Sequence, residues 1–407
     1  MTSWRPASVG DLSLPKGLVG GPFGSDLGRV DYREAGVPVI RGSNFTDGRY
    51  VDVSDLVFVD SAKALSLQRN TAHPGDLVFT QRGTLGQVGM IPASSPYPEF
   101  VISQSQMRLT CDPVVADPQF VYYAFRSPNV VTQIEAAAIR TALPHINLGI
   151  LRNIRLPLPP LIEQKAIVET LGALDDKIDA NRRETQILVD ATMTAYRAIA
   201  AQANSSELIE LVASVRGGST PSTDSDKLWN PGVHFWATPR DMTTLRSPVL
   251  WRTERKISDE GLASISSGLL PKGTVLLSSR APIGYLAITA EPVAVNQGFI
   301  ALVPNGRLSS EYLCCWVKAS MSAIEALGNG TTFMEVSKRS FRVLRVPIPP
   351  DSLLSKFESF ARPVFQLILN LERQIVHLAL VRDLLLPKLI SGEIRAAKTR
   401  RAAEAGT

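Results

Sequence analysis

Cysteine, histidine and any strong imbalance of charge are scarce in this chain. It carries 3 cysteines and 4 histidines in 407 residues. Cys111 stands alone, and Cys314 and Cys315 are adjacent, so neither a C-x-x-C zinc spacing nor a disulfide framework is available. The three thiols read as small buried hydrophobes. His73, His145, His234 and His377 show no His-x-x-x-His or Glu-x-x-His spacing, so no metal site is expected. A G-x-x-x-x-G-K-[ST] loop is missing, which excludes a Walker-type ATP site, and so is the G-x-G-x-x-G dinucleotide fingerprint. Pro-Pro occurs before Leu161 and before Asp351, never before an aromatic, so the Asn/Asp-Pro-Pro-Phe/Tyr run of adenine methyltransferases is absent. Glu163-Gln164-Lys165 has the E-x-K form of half a nuclease signature but lacks a paired aspartate, and it reads as the start of a helix. A Ser/His/Asp triad is not sequence-local, and nothing points to one. No catalytic residue is nominated. No run of ~18 apolar residues and no basic-then-apolar leader is evident, so the expectation is a cytoplasmic protein without a membrane span.

The net charge of +5 invites a nucleic-acid reading. Divided along the chain, the argument weakens. The first 150 residues are close to neutral, and the excess lies after about residue 207. Part of it belongs to the tail 395–407, whose composition suggests disorder. No segment is a basic block that would hold DNA through charge alone.

The strongest positive feature is a repeat. Leu156-Pro157-Leu158-Pro159-Pro160 recurs as Val346-Pro347-Ile348-Pro349-Pro350. The likeness extends upstream. Gly36-Val37-Pro38-Val39-Ile40-Arg41 parallels Gly232-Val233-His234-Phe235-Trp236-Ala237, and Gly75 to Arg82 parallels Gly273 to Arg280. In that second pair a glycine turn leads into an apolar strand that ends at an arginine. A further glycine opens a second strand, at Gly86 and at Gly284, which predicts hairpins. Gln104 and Gln297 fall at matching places, expected in the next strand, and short helices are expected over 118–126 and 311–320.

After each Pro motif the period becomes helical, over roughly 161–200 and 352–390. The first stripe runs through Leu171, Leu174, Ile178 and Leu188, with Asn181, Thr185 and Thr192 on the same seam. The second runs through Phe357, Phe360, Val364, Leu367, Leu371, Gln374, Leu378, Val381 and Leu385. Each helix would be ~60 Å long, further than a domain of this size reaches, so the two stripes are expected to pack together as an antiparallel coiled coil. Asn181 and Gln374 would fix its register. Pro363 is expected to interrupt the second helix near its start, and Pro387 with Gly392 to end it.

A strand-rich domain with Gly-Asp-Leu-Val-Phe…Gly-Gln-Val-Gly, then Leu-Pro-Leu-Pro-Pro-Leu-Ile-Glu-Gln-Lys-Ala-Ile, then a long helix, all repeated, resembles the DNA-specificity subunit of type I restriction–modification systems. The likeness covers about residues 5–395. The second copy departs locally, with Leu353 and Leu354 where Glu163 and Gln164 stand in the first. The resemblance implies an α+β fold with a pseudo-two-fold internal repeat. Its parts would be target recognition domains at 1–155 and 204–345, spacer helix regions at 156–203 and 346–394, and the basic tail 395–407. It implies a non-catalytic subunit that reads a bipartite site on double-stranded DNA and recruits two adenine-methylating modification subunits, which use S-adenosylmethionine. Restriction subunits, which use ATP and Mg, can join. The chain itself would hold no cofactor.

Base edges are read by Arg, Asn, Gln, Ser and Thr. Where strands run into loops the candidates are Arg41, Ser43 and Asn44, then Gln81, Arg82 and Thr84. In the second half they are Thr238, Arg240 and Asp241, then Ser279 and Arg280. Two glycine-rich turns, Gly20 to Ser25 and Gly217 to Pro221, are either phosphate cradles or plain tight turns. The competing reading is a scaffold whose strand-rich domains bind proteins rather than bases.

Overall fold

The computed structural model describes residues 4–139, 144–280, 282–329 and 334–396. The chain forms two compact units. Met1–Asp179 and His377–Thr407 make the first, and Ala180–Val376 makes the second.

Among its described residues the first unit holds three small sheets. Arg5–Ser8 pairs antiparallel with Arg155–Leu158, Arg5 facing Leu158 and Ser8 facing Arg155. A four-stranded sheet runs in the order Ser13–Gly20, Gln106–Cys111, Leu77–Thr80, Val88–Met90, and another in the order Val57–Val59, Val37–Ile40, Phe100–Ile102, Thr71–Ala72. The predicted hairpin is there: Gly75 takes φ +93°, and Leu77 faces Met90. All of Leu77–Thr80 is buried, which is why it reads as an unbroken apolar run rather than an alternating one.

The second unit repeats this plan with its strands redistributed, five and three in its larger sheets where the first has four and four. Ser205–Leu208 pairs with Arg345–Ile348. Ala213–Arg216, Phe299–Pro304, Val275–Ser279, Ile283–Thr289 and Val249–Leu250 form one sheet, and Arg255–Ile257, His234–Ala237 and Val293–Val295 another. Both units also pair one strand in parallel at the same place, Val37–Ile40 with Phe100–Ile102 and His234–Ala237 with Val293–Val295.

The two short helices form as the sequence predicts, Pro118–Phe125 and Ser310–Ala319. Asp117 caps the first by accepting from the Gln119 and Phe120 amides, with Pro118 in the first turn. Ser309 caps the second by accepting from Tyr312 N. Phe120 to Phe125 are all buried, as are Tyr312 to Val317, so each helix is swallowed by its own core.

The long helices are Leu161–Ala200 and Asp351–Ser391. They run antiparallel inside the first unit, where Glu163 lies near Arg395 and Asp175 near Arg382. Inside the second unit Asn181 Nδ2 donates to Gln374 Oε1 at 3.1 Å, the register pair expected from the sequence. Leu171 and Ile178 are buried, and Leu174 and Leu188 half-buried.

The seam of the second helix needs correction. Phe357 and Leu371 are buried, but Phe360 is 42% and Leu367 39% exposed, while Leu354, Ala361, Phe365 and Ile368 take the buried places. Val364, Leu378, Val381 and Leu385 are half-buried, and Gln374 is exposed. A strict seven-residue stripe drifts by ~20° per heptad on a straight helix, so it misassigns Leu367 by one residue. Pro363 does not interrupt the helix. Its side chain and Ser359, whose carbonyl loses a partner, both face solvent. Pro387 lies inside the last turns, and Gly392, at φ +77°, ends the helix. By length and composition alone, a window of this helix is apolar enough to cross a membrane. Here its apolar residues enter the cores of the two units.

The local departure of the second Pro motif has a packing cause. Gln164 is fully buried, and its Oε1 accepts from Asp117 N at 2.8 Å. Its Nε2 donates to Pro159 O at 2.9 Å and Val115 O at 3.1 Å. Leu354, in the matching place, instead joins the apolar core beside Phe357. At the start of the tail, the Arg395 guanidinium lies 3.8 Å from the Trp4 ring centroid. The remainder of the tail, 397–407, lies outside the described residues.

Candidate nucleic-acid interface

In each unit several loops meet along one edge, and the backbone ties them together. Gln81, at the end of its strand, donates its amide to Ser105 O at 2.7 Å and accepts from Ile146 N at 3.1 Å. Ser279 repeats this, donating to Gly298 O at 2.8 Å and accepting from Val336 N at 3.0 Å. Ser103 N reaches Ile40 O at 3.0 Å, as Asn296 N reaches Ala237 O at 3.0 Å. The strand ends preceding Arg41 and Thr238 therefore lie beside the turns that carry Gln104 and Gln297. These glutamines sit in turns between strands, not within a strand as the sequence suggested.

The glycine-rich loops close the edge. Gly21 N donates to Gln106 O at 2.8 Å, and Ser219 N to Val295 O at 3.1 Å. A Cβ on Gly21 would stand 2.1 Å from Ser103 O, and one on Gly218 1.8 Å from Val295 O. Close backbone approach is thus the reason for these glycines. In the first unit a cleft of about 910 Å³ opens here, lined in part by Gly21, Phe23, Arg69, Gln81 and Asn147.

The candidate side chains divide by placement. Ser43, Arg82, Thr84 and Arg240 are exposed, and Arg41, Gln81, Thr238 and Arg280 half-buried. Asn44 is 1% exposed. Its Oδ1 accepts from Arg41 N at 2.9 Å, and its Nδ2 donates to Asp55 O at 2.7 Å and Asp52 O at 3.2 Å. Its functional groups are spent on shaping its own loop. Ser279 is likewise buried. Thr238 donates its hydroxyl to Asp241 Oδ2 at 2.8 Å, and the same oxygen takes the Thr238 amide at 2.7 Å, so Asp241 is a helix-start residue. Arg240 pairs with Glu254 at 3.3 Å and Arg280 with Glu335 at 4.0 Å. Exposed pairs of this kind contribute ~0–1 kcal/mol, so both guanidiniums can be redirected to an anion at small cost.

Sequence reasoning did not nominate Gln104 or Gln297 for this edge, and it offered the turns holding Phe23 and Thr220 only for backbone contact with a phosphate. The matched glutamines and the paired Gly-Gly were the available signal. The cysteines behave as expected: all three are buried, and burial pushes Cys111 and Cys315 up to about 12. Among the described residues no group of three His, Cys, Asp or Glu side chains could hold a metal ion.

Comparison with known proteins adds the following. The family described as the type I restriction modification DNA specificity domain matches residues 31–188 and 204–353. The type I restriction enzyme MjaIX specificity subunit of Methanocaldococcus jannaschii is 33% identical over 168 residues, 41% of this chain and 39% of the relative. The putative MjaX specificity subunit of the same organism is 21% identical and covers 88% of both chains. The crystal structure of the type I restriction–modification S subunit from M. genitalium shares the fold. Its TM-score is 0.60 at 18% identity, over 95% of this chain and 96% of that one.

Proposed function

The chain belongs to the type I restriction–modification DNA specificity family, and from that premise we propose that its two strand-rich domains, 1–155 and 204–345, each read one half of a bipartite double-stranded DNA site. The observation that carries this reading is that the same loop-bearing edge is built twice, each time from a glycine-rich loop, the turn carrying Gln104 or Gln297, and the strand end at Gln81 or Ser279. The two edges carry different side chains, so two different half-sites are expected rather than a palindrome. The exposed or half-buried Arg41, Ser43, Gln81, Arg82, Thr84, Thr238, Arg240 and Arg280 are the candidate contacts. Near-neutral halves imply weak binding by the chain alone and tighter binding with partners that clamp the DNA.

In this reading the chain is the non-catalytic subunit of a cytoplasmic complex. Two modification subunits, using S-adenosylmethionine, dock on pseudo-equivalent places, and restriction subunits using ATP and Mg can join. The long helices set the unread gap between half-sites. Seven residues added to both helices lengthen them by ~10.5 Å, about three base pairs. Mapping methylated adenines in DNA modified by this chain with its modification partner tests the reading. The expected product is a split motif whose gap grows by about three base pairs in the insertion variant. DNA binding without sequence preference would favour the protein-binding scaffold instead.

A further inference from the structure

We propose that Gln104 and Gln297 are paired base-reading residues, each recognising an adenine through the major groove in its own half-site. The inference rests on the DNA-reading function proposed above and adds to it a specific pair of side chains and a specific base.

Both glutamines are exposed, and both occupy the turn between the third-sheet strand and the next strand of the main sheet: Phe100–Ile102 to Gln106–Cys111, and Val293–Val295 to Phe299–Pro304. Each turn is held rigid from several sides. Beneath Gln104, the buried Ser103 Oγ donates to the fully buried Gln106 Oε1, and Gln106 N closes the turn onto Ser103 O at 3.0 Å. Beneath Gln297, Asn296 Oδ1 accepts from Gly298 N at 2.9 Å. Gly21 and Gly218 press their backbones against the turns at distances no Cβ would permit. Gln81 and Ser279, ending their strands, take the other flank through their backbone amides. A polar side chain carried on a rigid, well-supported base is the arrangement that lets a hydrogen-bonding group discriminate between partners.

The chemistry then selects the base. A glutamine amide offers an acceptor and a donor side by side, matching adenine N6–H and N7. Thr220 Oγ1 donates to Gln297 Oε1 at 2.7 Å, which fixes the amide plane. The oxygen keeps a second lone pair and the nitrogen both hydrogens. In the first unit the matching loop places Phe23, 85% exposed, where the second has Thr220. Gln104 therefore lacks the hydroxyl brace, while the glycine-rich loop packed against its turn carries an exposed apolar ring suited to a thymine methyl. The two half-sites share an A·T pair at equivalent positions and differ beside it.

The test uses the chain assembled with its modification partner and duplexes varied one base pair at a time in competition binding. Gln104→Ala is expected to lose roughly 5- to 150-fold discrimination at one A·T pair of the first half-site only, and Gln297→Ala the same in the second. Gln297→Glu should shift preference at that pair toward C, whose N4 amino group donates. Thr220→Val should weaken discrimination in the second half-site alone. If both alanine variants keep full discrimination at every position while the wild-type split motif is still read, the glutamine assignment is overturned and the DNA-reading function stands. If the wild-type complex shows no sequence preference, the function itself fails. Equal loss of affinity for every duplex would make the glutamines phosphate or structural contacts and would also overturn the assignment.

Discussion

Removing Asp175 should loosen the first unit without touching the second. The carboxylate is buried, accepting from Tyr123 Oη at 2.7 Å and from Arg382 Nη1 at 2.7 Å. One contact comes from the short core helix and the other from the second long helix, so this single side chain ties three elements together. The neighbouring Asp176 pairs with Arg49, which also donates to Gln119 Oε1 at 2.7 Å. Burial, with the Asp175 carboxylate beside it, holds the Tyr123 hydroxyl well above its usual range, so it stays a donor at any working pH. Asp175→Ala deletes a charge-assisted hydrogen bond of ~1.5–3 kcal/mol and strands a buried hydroxyl at ~1–3 kcal/mol. Arg382 keeps Asp383 at 2.8 Å, which limits the damage on its side. The expected loss is about 3–5 kcal/mol, as for other broken buried pairs. Urea unfolding followed by hydrogen exchange would read it. Amides of residues 119–125 should exchange faster, while those of Ser310–Ala319 in the other unit should not change. An Asp175→Ala/Arg382→Ala cycle should show coupling of ~2 kcal/mol. Additivity of the single variants within ~0.5 kcal/mol would refute the argument, as would equal loosening of both helices.

The glycine loops give a sharp contrast. Gly21→Ala should cost ~1–3 kcal/mol by overpacking, whereas Gly20→Ala, with nothing within 4 Å of its Cβ, should leave Tm nearly unchanged. Similar Tm values for the two variants would contradict the close-approach explanation. Glu372 supplies a pH dependence. Burial raises its carboxyl above the ordinary 4.5, against the pull of Ser247, Arg182 and Arg246. As pH rises through 4.5 the unfolded chain ionises first, so stability falls until the raised native value is passed. Glu372→Gln should therefore stabilise at neutral pH, with the gain vanishing under acid conditions; parallel stability–pH curves would exclude it. The buried cysteines should resist a thiol reagent in the native chain and react on unfolding, and rapid native labelling would show that burial does not control them.

Local signals made much of this fold legible. The Pro motifs, the glycine-led hairpins and the capped short helices are each specified within about ten residues, and all form where expected. The long helices also run over nearly the expected residues. What could not be read was which way a polar side chain turns. Asn44 and Ser279 have the chemistry and position of base readers, yet one braces its loop and the other is packed under the edge. The choice between Leu367 and Ile368 was hidden because the apolar band of that helix is wide enough to support either stripe. Gln104 and Gln297 were visible as a matched pair, but their importance depends on loops from distant parts of the sequence meeting around them.

The discontinuity of the first unit has a consequence for synthesis. Its strands and the start of its helix are complete by Asp179, but Leu386, Leu389 and Ile390 belong to the same core, and they follow the whole of the second unit. At ~5–20 residues per second, the intervening stretch takes on the order of 10–40 s to emerge. During that time Leu171 and Tyr123 wait beside a groove that has no occupant. Among the described residues the core of the second unit draws on none beyond Leu369, so it can close before the first. The domain made earliest is thus the last to be finished, and the nascent chain is most exposed to chaperones and proteases at its oldest part.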